Sequence, residues 1–367
     1  MKSEASRPLK MSQWKKYFSE ARAKRAPRPF EITLASVQLD AATARSVKLE
    51  RKNGRVDLIA KTRSFSPKVI VPKVKTVDAR RLRRNPGFRE LDGFRPAHLD
   101  FRALPQELVA SLRQTNRVRP AGTRTRRNTS TPTSVFSPDE RFTFNDTAFP
   151  WSTCGRVDTA AGWGSGVMIG PRHFMTASHV VNWGPNNSAG WIKFTPLQFD
   201  DTTPFGTAFA TRIYSWIKAD GSDLLDRDET AFDYVVCVLE RRLGEVTGWM
   251  GSRGYSTDWD GDAVWGHIGY PFDLAGGKRP AFVGYQAFDS TFTRSVGGRD
   301  SFGIQHKIDA VGGQSGGPYF GWWGDEPWPR VVGTQSGENQ GGPGGPNNCG
   351  GGNPLPELIG HARTVEP

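Results

Sequence analysis

Short apolar stretches alternate with turn-forming residues throughout the part of the chain after residue 140. Val, Ile, Phe, Tyr and Trp fill these stretches, and Gly-Pro or Asn-Asn pairs separate them. No helical period persists here, so the pattern predicts an all-β barrel or sandwich. The segment 341–353, rich in Gly, Pro and Asn, predicts a flexible or irregular tail. The candidate strands are 165–170, 173–178, 232–240, 263–270, 305–311, 318–323 and 330–335.

The N-terminal part has a different pattern. Trp14, Tyr17 and Phe18 recur at helical spacing within 11–26, a basic helix that could lie on a membrane or, as we favour, pack on its own protein. Residues 44–61 alternate around Lys52-Asn53-Gly54-Arg55, which predicts a β-hairpin.

Residues 114–133 have almost no apolar side chains and are typical of an exposed linker. Arg124, Arg126 and Arg127 form a basic cluster suited to proteolysis, so we expect a cut within 119–135.

Charge divides the 367 residues into two parts. Residues 1–133 contain 32 Lys and Arg against 11 Asp and Glu, a net of +21, whereas 134–367 contain 17 against 26, a net of −9. A basic pro-region docked on an acidic domain explains this division, and so does an arm that binds nucleic acid or anionic membrane. We favour the pro-region, because the arm lacks a recognisable nucleic-acid-binding motif.

Composition narrows the remaining possibilities. The sequence has neither an apolar run of 18 residues nor the apolar core of an ordinary signal peptide. Three cysteines, Cys154, Cys237 and Cys349, allow at most one internal disulfide. No Cys/His spacing fits zinc, so we expect neither a metal site nor a cofactor.

Two motifs suggest a chemistry. In Gly-Gly-Gln-Ser-Gly-Gly-Pro (312–318), glycines let the backbone turn so that the Ser315 hydroxyl points outward and nearby N–H groups converge on one point. In Thr-Ala-Ser-His (176–179), His179 ends an apolar run and could take the proton of that hydroxyl.

A carboxylate completes the set. Asp233 opens the apolar stretch 233–239, and a buried acid needs a partner such as the imidazole N–H of His179. The order His179, Asp233, Ser315 is that of chymotrypsin-type enzymes. Asp223, Asp226 and Asp228 compete with Asp233 and Ser336 competes with Ser315, but their contexts are less constrained.

The segment from about 135 to 340 resembles the chymotrypsin-fold serine proteases, nearest the glutamyl endopeptidase branch. The residues that carry the resemblance are Asp139-Glu140-Arg141, Asn145–Trp151, Gly164–Gly170, Gly269-Tyr270-Pro271 and Val332–Gly337. The resemblance implies two six-stranded antiparallel β-barrels, at about 145–245 and 255–340. They would form one protease domain at 134–367, preceded by the basic pro-region and linker at 1–133.

The resemblance also implies roles for single residues. His179 would be the general base, Asp233 would orient it, and Ser315 would be the nucleophile. The N–H groups of Gly313 and Ser315 would form the oxyanion hole. The substrate would contact Ala310, Gln335, Ser336 and Gly337.

Three positions depart from the pattern of the family that the segment resembles. Gln335 replaces a histidine and Ala310 a threonine, both of which contact an acidic substrate side chain in the glutamyl branch. Gln314 replaces the aspartate that pairs with a freed N-terminal amine in trypsin-like enzymes. A preference for acidic residues at P1 is therefore doubtful, and the usual activation switch cannot operate.

These observations predict an extracellular serine endopeptidase made as a zymogen. Its partners would be a protein or peptide substrate and its own pro-region, with neither nucleic acid nor membrane, and we expect a monomer. The alternative is a catalytically silent protein of the same fold whose basic arm contacts nucleic acid or anionic membrane.

Overall fold

The computed structural model describes residues 7–14, 48–52, 55–59, 71–85, 87–106, 134–185, 188–219, 225–324, 326–338 and 345–367. The strands are β1 (Lys48–Lys52), β2 (Arg55–Ile59), β3 (Lys75–Asp78), β4 (Glu90–Leu91), β5 (Phe142–Thr143), β6 (Cys154–Thr159), β7 (Gly162–Met168), β8 (His173–Thr176), β9 (Ile192–Pro196), β10 (Ala208–Ser215), β11 (Val235–Leu239), β12 (Gly251–Arg253), β13 (Trp265–Gly269), β14 (Ala281–Gln286), β15 (Phe288–Val296), β16 (Arg299–His306), β17 (Pro318–Gly321), β18 (Arg330–Glu338) and β19 (Asn347–Gly351). The α-helices are α1 (Arg227–Ala231), α2 (Gly244–Thr247) and α3 (Pro354–Val365). Six short 3₁₀ turns within the described residues are Met11–Gln13, Ala79–Arg81, Trp151–Thr153, Ser178–Val180, Thr257–Trp259 and Ala275–Gly277.

Six antiparallel strands close into a barrel. Their order is β11-β8-β7-β6-β9-β10, and β10 pairs back with β11. Alternate side chains of each strand point inward, so apolar residues of these strands fill the interior. Members of this core are Val157, Met168, Phe174, Ile192, Phe194, Ala210, Ile213, Val235, Cys237 and Leu239.

The second sheet has ten strands in the order β15-β16-β19-β18-β17-β13-β14-β5, with β12 beside β18 and β4 beside β12. Its core is aromatic, and Trp265 stacks on Phe288 with ring centroids 5.1 Å apart. The predicted all-β, chymotrypsin-like fold class is confirmed, with one closed six-stranded barrel and one larger sheet.

Two expectations for the C-terminal end were wrong. Residues 347–351 form β19, a strand between β16 and β18, and not an irregular tail. Glycine suits this strand, because a Cβ at Gly350 would approach the Thr230 carbonyl oxygen to 2.7 Å. The 12-residue helix α3 follows, although no helical period was recognised there. In addition, β16 ends at His306, so most of the candidate strand 305–311 is irregular.

Residues before 107 contribute strands to both sheets. Strand β3 pairs in parallel with β10, and β4 pairs antiparallel with β12. The Phe88 ring lies against α3, where a Cβ at Gly360 would approach it to 2.4 Å. Residues 71–106 are therefore packed onto the protease-like fold.

The predicted hairpin is confirmed, because β1 pairs with β2 and Lys52 lies opposite Arg55. Trp14 is buried, with its ring centroid 4.3 Å from that of Tyr285. Tyr17, Phe18 and the linker 114–133 lie outside the described residues. The three cysteines are buried and unpaired, and no helix in the described ranges has the length and apolarity needed to span a membrane.

Candidate active site

His179 follows strand β8 on a short turn that is fixed from several sides. The Ser178 hydroxyl donates to the Ile217 carbonyl oxygen at 3.2 Å and accepts from the Ala219 N–H at 3.0 Å. The Trp183 indole N–H donates to the Ser178 carbonyl oxygen at 2.9 Å. These bonds hold the backbone of the turn while the His179 side chain stays 17% exposed.

Asp233 lies between α1 and β11 and is fully buried. Its Oδ2 is 2.6 Å from His179 Nδ1, and its Oδ1 accepts the backbone N–H of His179 at 3.0 Å. The Ser336 hydroxyl, on β18, donates to the same Oδ2 at 2.6 Å. The carboxylate therefore contacts the histidine twice and also joins the barrel to the second sheet.

Two opposing effects act on the His179 imidazole. Burial disfavours the charged form, but attraction and hydrogen bonding to Asp233, with a further contribution from Glu229, outweigh it and raise the pKa of His179. A neighbouring carboxylate thus stabilises the imidazolium that would form if this histidine accepted a proton.

Ser315 lies in a tight turn between β16 and β17. Gly313 and Gly316 have φ of +92° and +82°, in the region where glycine is favoured. The Gln314 N–H donates to the Val311 carbonyl oxygen at 3.1 Å, and the Gly317 N–H donates to the Gln314 carbonyl oxygen at 2.9 Å. The expected glycine turn is therefore present.

This turn packs directly against the backbone that leads to His179. A Cβ at Gly316 would come within 2.2 Å of Thr176 Oγ1 and 2.6 Å of the Ala177 nitrogen. The Ser165 N–H donates to the Ser315 carbonyl oxygen at 2.7 Å. Within the described residues the Ser315 hydroxyl makes no hydrogen bond, to His179 or to any other group. Such bonds often tighten only when substrate is bound.

The backbone donors of the turn are available. In the described part of the chain, the N–H groups of Gly313 and Ser315 have no acceptor. The Gly313 carbonyl oxygen, which belongs to the intervening peptide group between Gly313 and Gln314, accepts the Ser165 hydroxyl at 2.7 Å and is thereby anchored from the side of β7. Unpaired backbone N–H groups of this kind are the donors that can bind a developing oxyanion.

Among the residues expected to contact substrate, Gln335 is bonded directly to this turn. Gln335 is buried, and its backbone oxygen accepts the Gly316 N–H at 2.8 Å. Its side-chain Oε1 accepts the Tyr319 hydroxyl at 2.5 Å, while its Nε2 has no partner among the described residues. Ala310 is buried and donates its N–H to the Ser134 carbonyl oxygen at 3.3 Å, and Gly337 is partly exposed.

Two buried histidines surround Tyr319. The ring centroids of His267 and His306 lie 4.5 and 4.7 Å from that of Tyr319. Burial lowers the pKa of His267 to about 3 and that of His306 well below its ordinary value. Both imidazoles are therefore neutral at physiological pH, so the side chains that surround Tyr319 next to Gln335 carry no positive charge.

The competing residues have other roles. Asp226 caps helix α1 and Asp228 pairs with Arg294, and both are exposed. Asp223 lies outside the described residues. The Ser336 hydroxyl donates to Asp233.

Sequence reasoning missed Ser165, whose hydroxyl donates to Gly313 and accepts the Tyr270 N–H. The only feature of the sequence that could have indicated it is its position between two glycines in a predicted strand.

In the described ranges, no group of three or more His, Cys, Asp or Glu side chains is arranged to hold a metal ion.

The fold is that of the chymotrypsin-type serine proteases. A solved structure of Glu endopeptidase in complex with MPD has a TM-score of 0.50 and 19% identity, and the match covers 63% of this chain and 100% of that one. The resemblance to this class, nearest its glutamyl endopeptidase branch, is confirmed.

Two curated relatives match in sequence. Glutamyl endopeptidase of Bacillus licheniformis is 27% identical over 192 residues, which are 51% of this chain and 54% of the relative. An extracellular metalloprotease of Bacillus subtilis is 23% identical over 199 residues, which are 52% and 58% of the two chains. The chain thus spans somewhat more than half the length of these relatives. No protein-family model matches.

Proposed function

We propose that this protein is a serine endopeptidase that hydrolyses peptide bonds through an acyl-enzyme. The observation that carries the proposal is the 2.6 Å contact between His179 Nδ1 and the buried Asp233 carboxylate, beside the glycine turn that holds Ser315. A buried carboxylate that binds one imidazole nitrogen leaves the other free to accept a proton from a serine hydroxyl.

Each residue then has one task. His179 takes the Ser315 proton as Ser315 Oγ attacks the substrate carbonyl carbon, and returns it to the leaving amine. Asp233 keeps the proton of the neutral imidazole on Nδ1 and stabilises the imidazolium. The N–H groups of Gly313 and Ser315 bind the oxyanion, and water then hydrolyses the acyl-enzyme by the same route.

The substrate class we propose is protein or peptide, in line with the names of the relatives. The substrate side chain before the cleaved bond would contact Ala310, Gln335, Ser336 and Gly337. Gln335 and the two neutral histidines behind Tyr319 supply no positive charge, which argues against a strict preference for acidic side chains. A peptide library tests this point, because a strict acidic preference would appear as cleavage after Glu alone.

We further propose secretion and activation by a cut within 119–135. Ser134, the first described residue after this region, is tied to Asn347: its N–H donates to Asn347 Oδ1 at 2.9 Å, and its oxygen accepts from Asn347 Nδ2 at 2.8 Å. A cut before Ser134 would therefore leave the new chain end beside β19. Mass spectrometry of the purified secreted protein would locate the new terminus, and an uncut active protein would contradict the zymogen proposal.

Replacement of Ser315 with Ala tests the activity. After the activating cut, we expect the wild type to react with a fluorophosphonate probe and to cleave casein. The variant should lose labelling and at least about 10⁴-fold in kcat. Ser290→Ala is the matched control, because Ser290 is exposed on β15, where its hydroxyl donates to Gln305 Oε1, and the residue has no part in the proposed site. Undiminished labelling of Ser315→Ala would exclude the assignment. An unlabelled wild type whose residues 1–133 bind nucleic acid or anionic vesicles in a salt-dependent way would favour the silent binding protein.

A further inference from the structure

The Arg141 guanidinium lies inside the protein, next to the Ser315 turn. Its side chain is only 1% exposed, and two carboxylates hold it in bidentate pairs. Asp139 accepts from Nε at 3.0 Å and from Nη2 at 2.9 Å, and Asp273 accepts from Nη1 at 3.0 Å and from Nη2 at 2.7 Å. The planar fork is thereby fixed in one orientation.

A further bond links this group to the Ser315 turn. Nη1 of Arg141 donates at 3.1 Å to Oε1 of Gln314, the residue immediately before Ser315. The same Oε1 accepts the N–H of Val311 at 3.0 Å, so one amide oxygen joins the guanidinium to the start of the turn. Gln314 is fully buried, and the position of a Cβ at Gly269 lies only 2.8 Å from its side chain. Gln314 therefore has little freedom to move.

We propose that Arg141 is a positioning residue: through Gln314 it holds the peptide groups of Gly313 and Ser315 in the orientation that binds the oxyanion. This inference rests on the proposed protease function. In trypsin-like enzymes a freed amine pairs with an aspartate at the place of Gln314. In this protein the donor is the Arg141 side chain and the acceptor is the Gln314 side chain, so the contact does not need a freed amine.

The segment that carries Arg141 is itself anchored. Asp309 accepts the N–H of Phe136 at 2.6 Å and that of Glu140 at 2.8 Å. These residues follow the region in which we propose the activating cut. The contact between Arg141 and Gln314 would thus remain covalently attached to the enzyme after cleavage.

The test compares Arg141→Met with the wild type, each produced as the full chain and assayed after the activating cut that we propose within 119–135. We expect fluorophosphonate labelling to slow by about 10- to 100-fold, the effect of losing a hydrogen bond to a charged group. The kcat for a peptide substrate should fall by a similar factor with little change in KM. The substitution would loosen the peptide groups of Gly313 and Ser315 that bind the oxyanion, and it would leave the substrate pocket unchanged. A peptide boronate, whose adduct with serine imitates the tetrahedral intermediate, should bind correspondingly more weakly.

Arg299→Met is the matched control for mere destabilisation. Arg299 is also buried and bound by a carboxylate, with Nε and Nη2 each 3.1 Å from an oxygen of Glu357. Its other contacts are with the carbonyl oxygens of Leu82 and Gly297 and with the Trp216 ring, and none of these residues belongs to the Ser315 turn. It should lower the melting temperature and leave the labelling rate of the folded protein unchanged.

Gln314→Met gives an independent test, because it leaves the pairs of Arg141 with Asp139 and Asp273 in place. We expect the same slowing as in Arg141→Met, and no further slowing in the double variant. Should Arg141→Met fail to fold, Gln314→Met alone decides.

The outcomes separate the two proposals. A wild type that is not labelled even after a cut within 119–135 would overturn the protease function. If Arg141→Met and Gln314→Met are both labelled at the rate of the wild type, the positioning role alone is overturned.

Discussion

Replacement of Asp233 with Asn removes one negative charge from the buried centre of the site. The carboxylate now accepts three hydrogen bonds: from the His179 backbone N–H, from His179 Nδ1 and from the Ser336 hydroxyl. An amide offers only one acceptor oxygen. If that oxygen keeps the backbone N–H, the amide N–H₂ faces Nδ1, and the imidazole proton must move to the other ring nitrogen. That nitrogen then cannot accept the proton of Ser315.

The magnitude follows from this exchange of tautomers. In the serine protease template, a change of this kind lowers kcat by about 10⁴-fold, which corresponds to roughly 5 kcal/mol in the activation free energy. The substitution also changes the pKa of His179. Burial, which lowers this pKa, remains when the negative charge of Asp233 is lost. Because Asp233 is the main group that raises the pKa of His179, the variant should have a lower His179 pKa than the wild type.

The assay is the rate of fluorophosphonate labelling as a function of pH. The imidazolium cannot act as a base, so the wild-type rate should rise as pH increases through the raised pKa of His179. In Asp233→Asn the rate should be about 10⁴-fold lower, and any remaining rise should lie at lower pH.

Asp146→Asn is the control. Asp146 is also buried and accepts three hydrogen bonds, from Arg102, Gln106 and Ala148, but it does not contact His179 or Ser315. It should lose stability and keep its labelling rate. Labelling of Asp233→Asn within tenfold of the wild type at its optimal pH would refute the reasoning.

Two further predictions concern stability. Gly316→Ala should cost roughly 2–5 kcal/mol in urea unfolding and abolish labelling, since its φ is +82° and its Cβ would overlap Thr176 Oγ1. Gly261→Ala, with a φ of +80° and open space around it, should cost only about 1 kcal/mol, and equal losses would contradict the steric argument. A chain beginning at Ser134 should be at least ~3 kcal/mol less stable than one beginning at Val71, because the latter keeps β3, β4 and the buried Val74. Equal urea midpoints would show that 71–106 contributes nothing.

Local pattern was enough for several features of this protein. The turn around Ser315 could be predicted because glycines on both sides of a polar residue favour a tight turn whatever surrounds it. The hairpin of β1 and β2 likewise follows from alternation and a two-residue loop. Asp233 could be selected over Asp226 and Asp228 because its neighbours are apolar and theirs are polar, which is a property of sequence alone.

Other features depend on residues that are distant in the chain. Arg141 meets Gln314 across 173 positions, and Ser336 meets Asp233 across 103. The glycine-rich segment 347–351 became a strand because two neighbouring strands offered backbone partners and left no room for side chains at Gly350 and Gly351. Strand β3 is short and has no strong pattern, yet it pairs with β10. Which strands become neighbours, and in which register, is decided by the packing of the whole core, and local alternation carries no information about it.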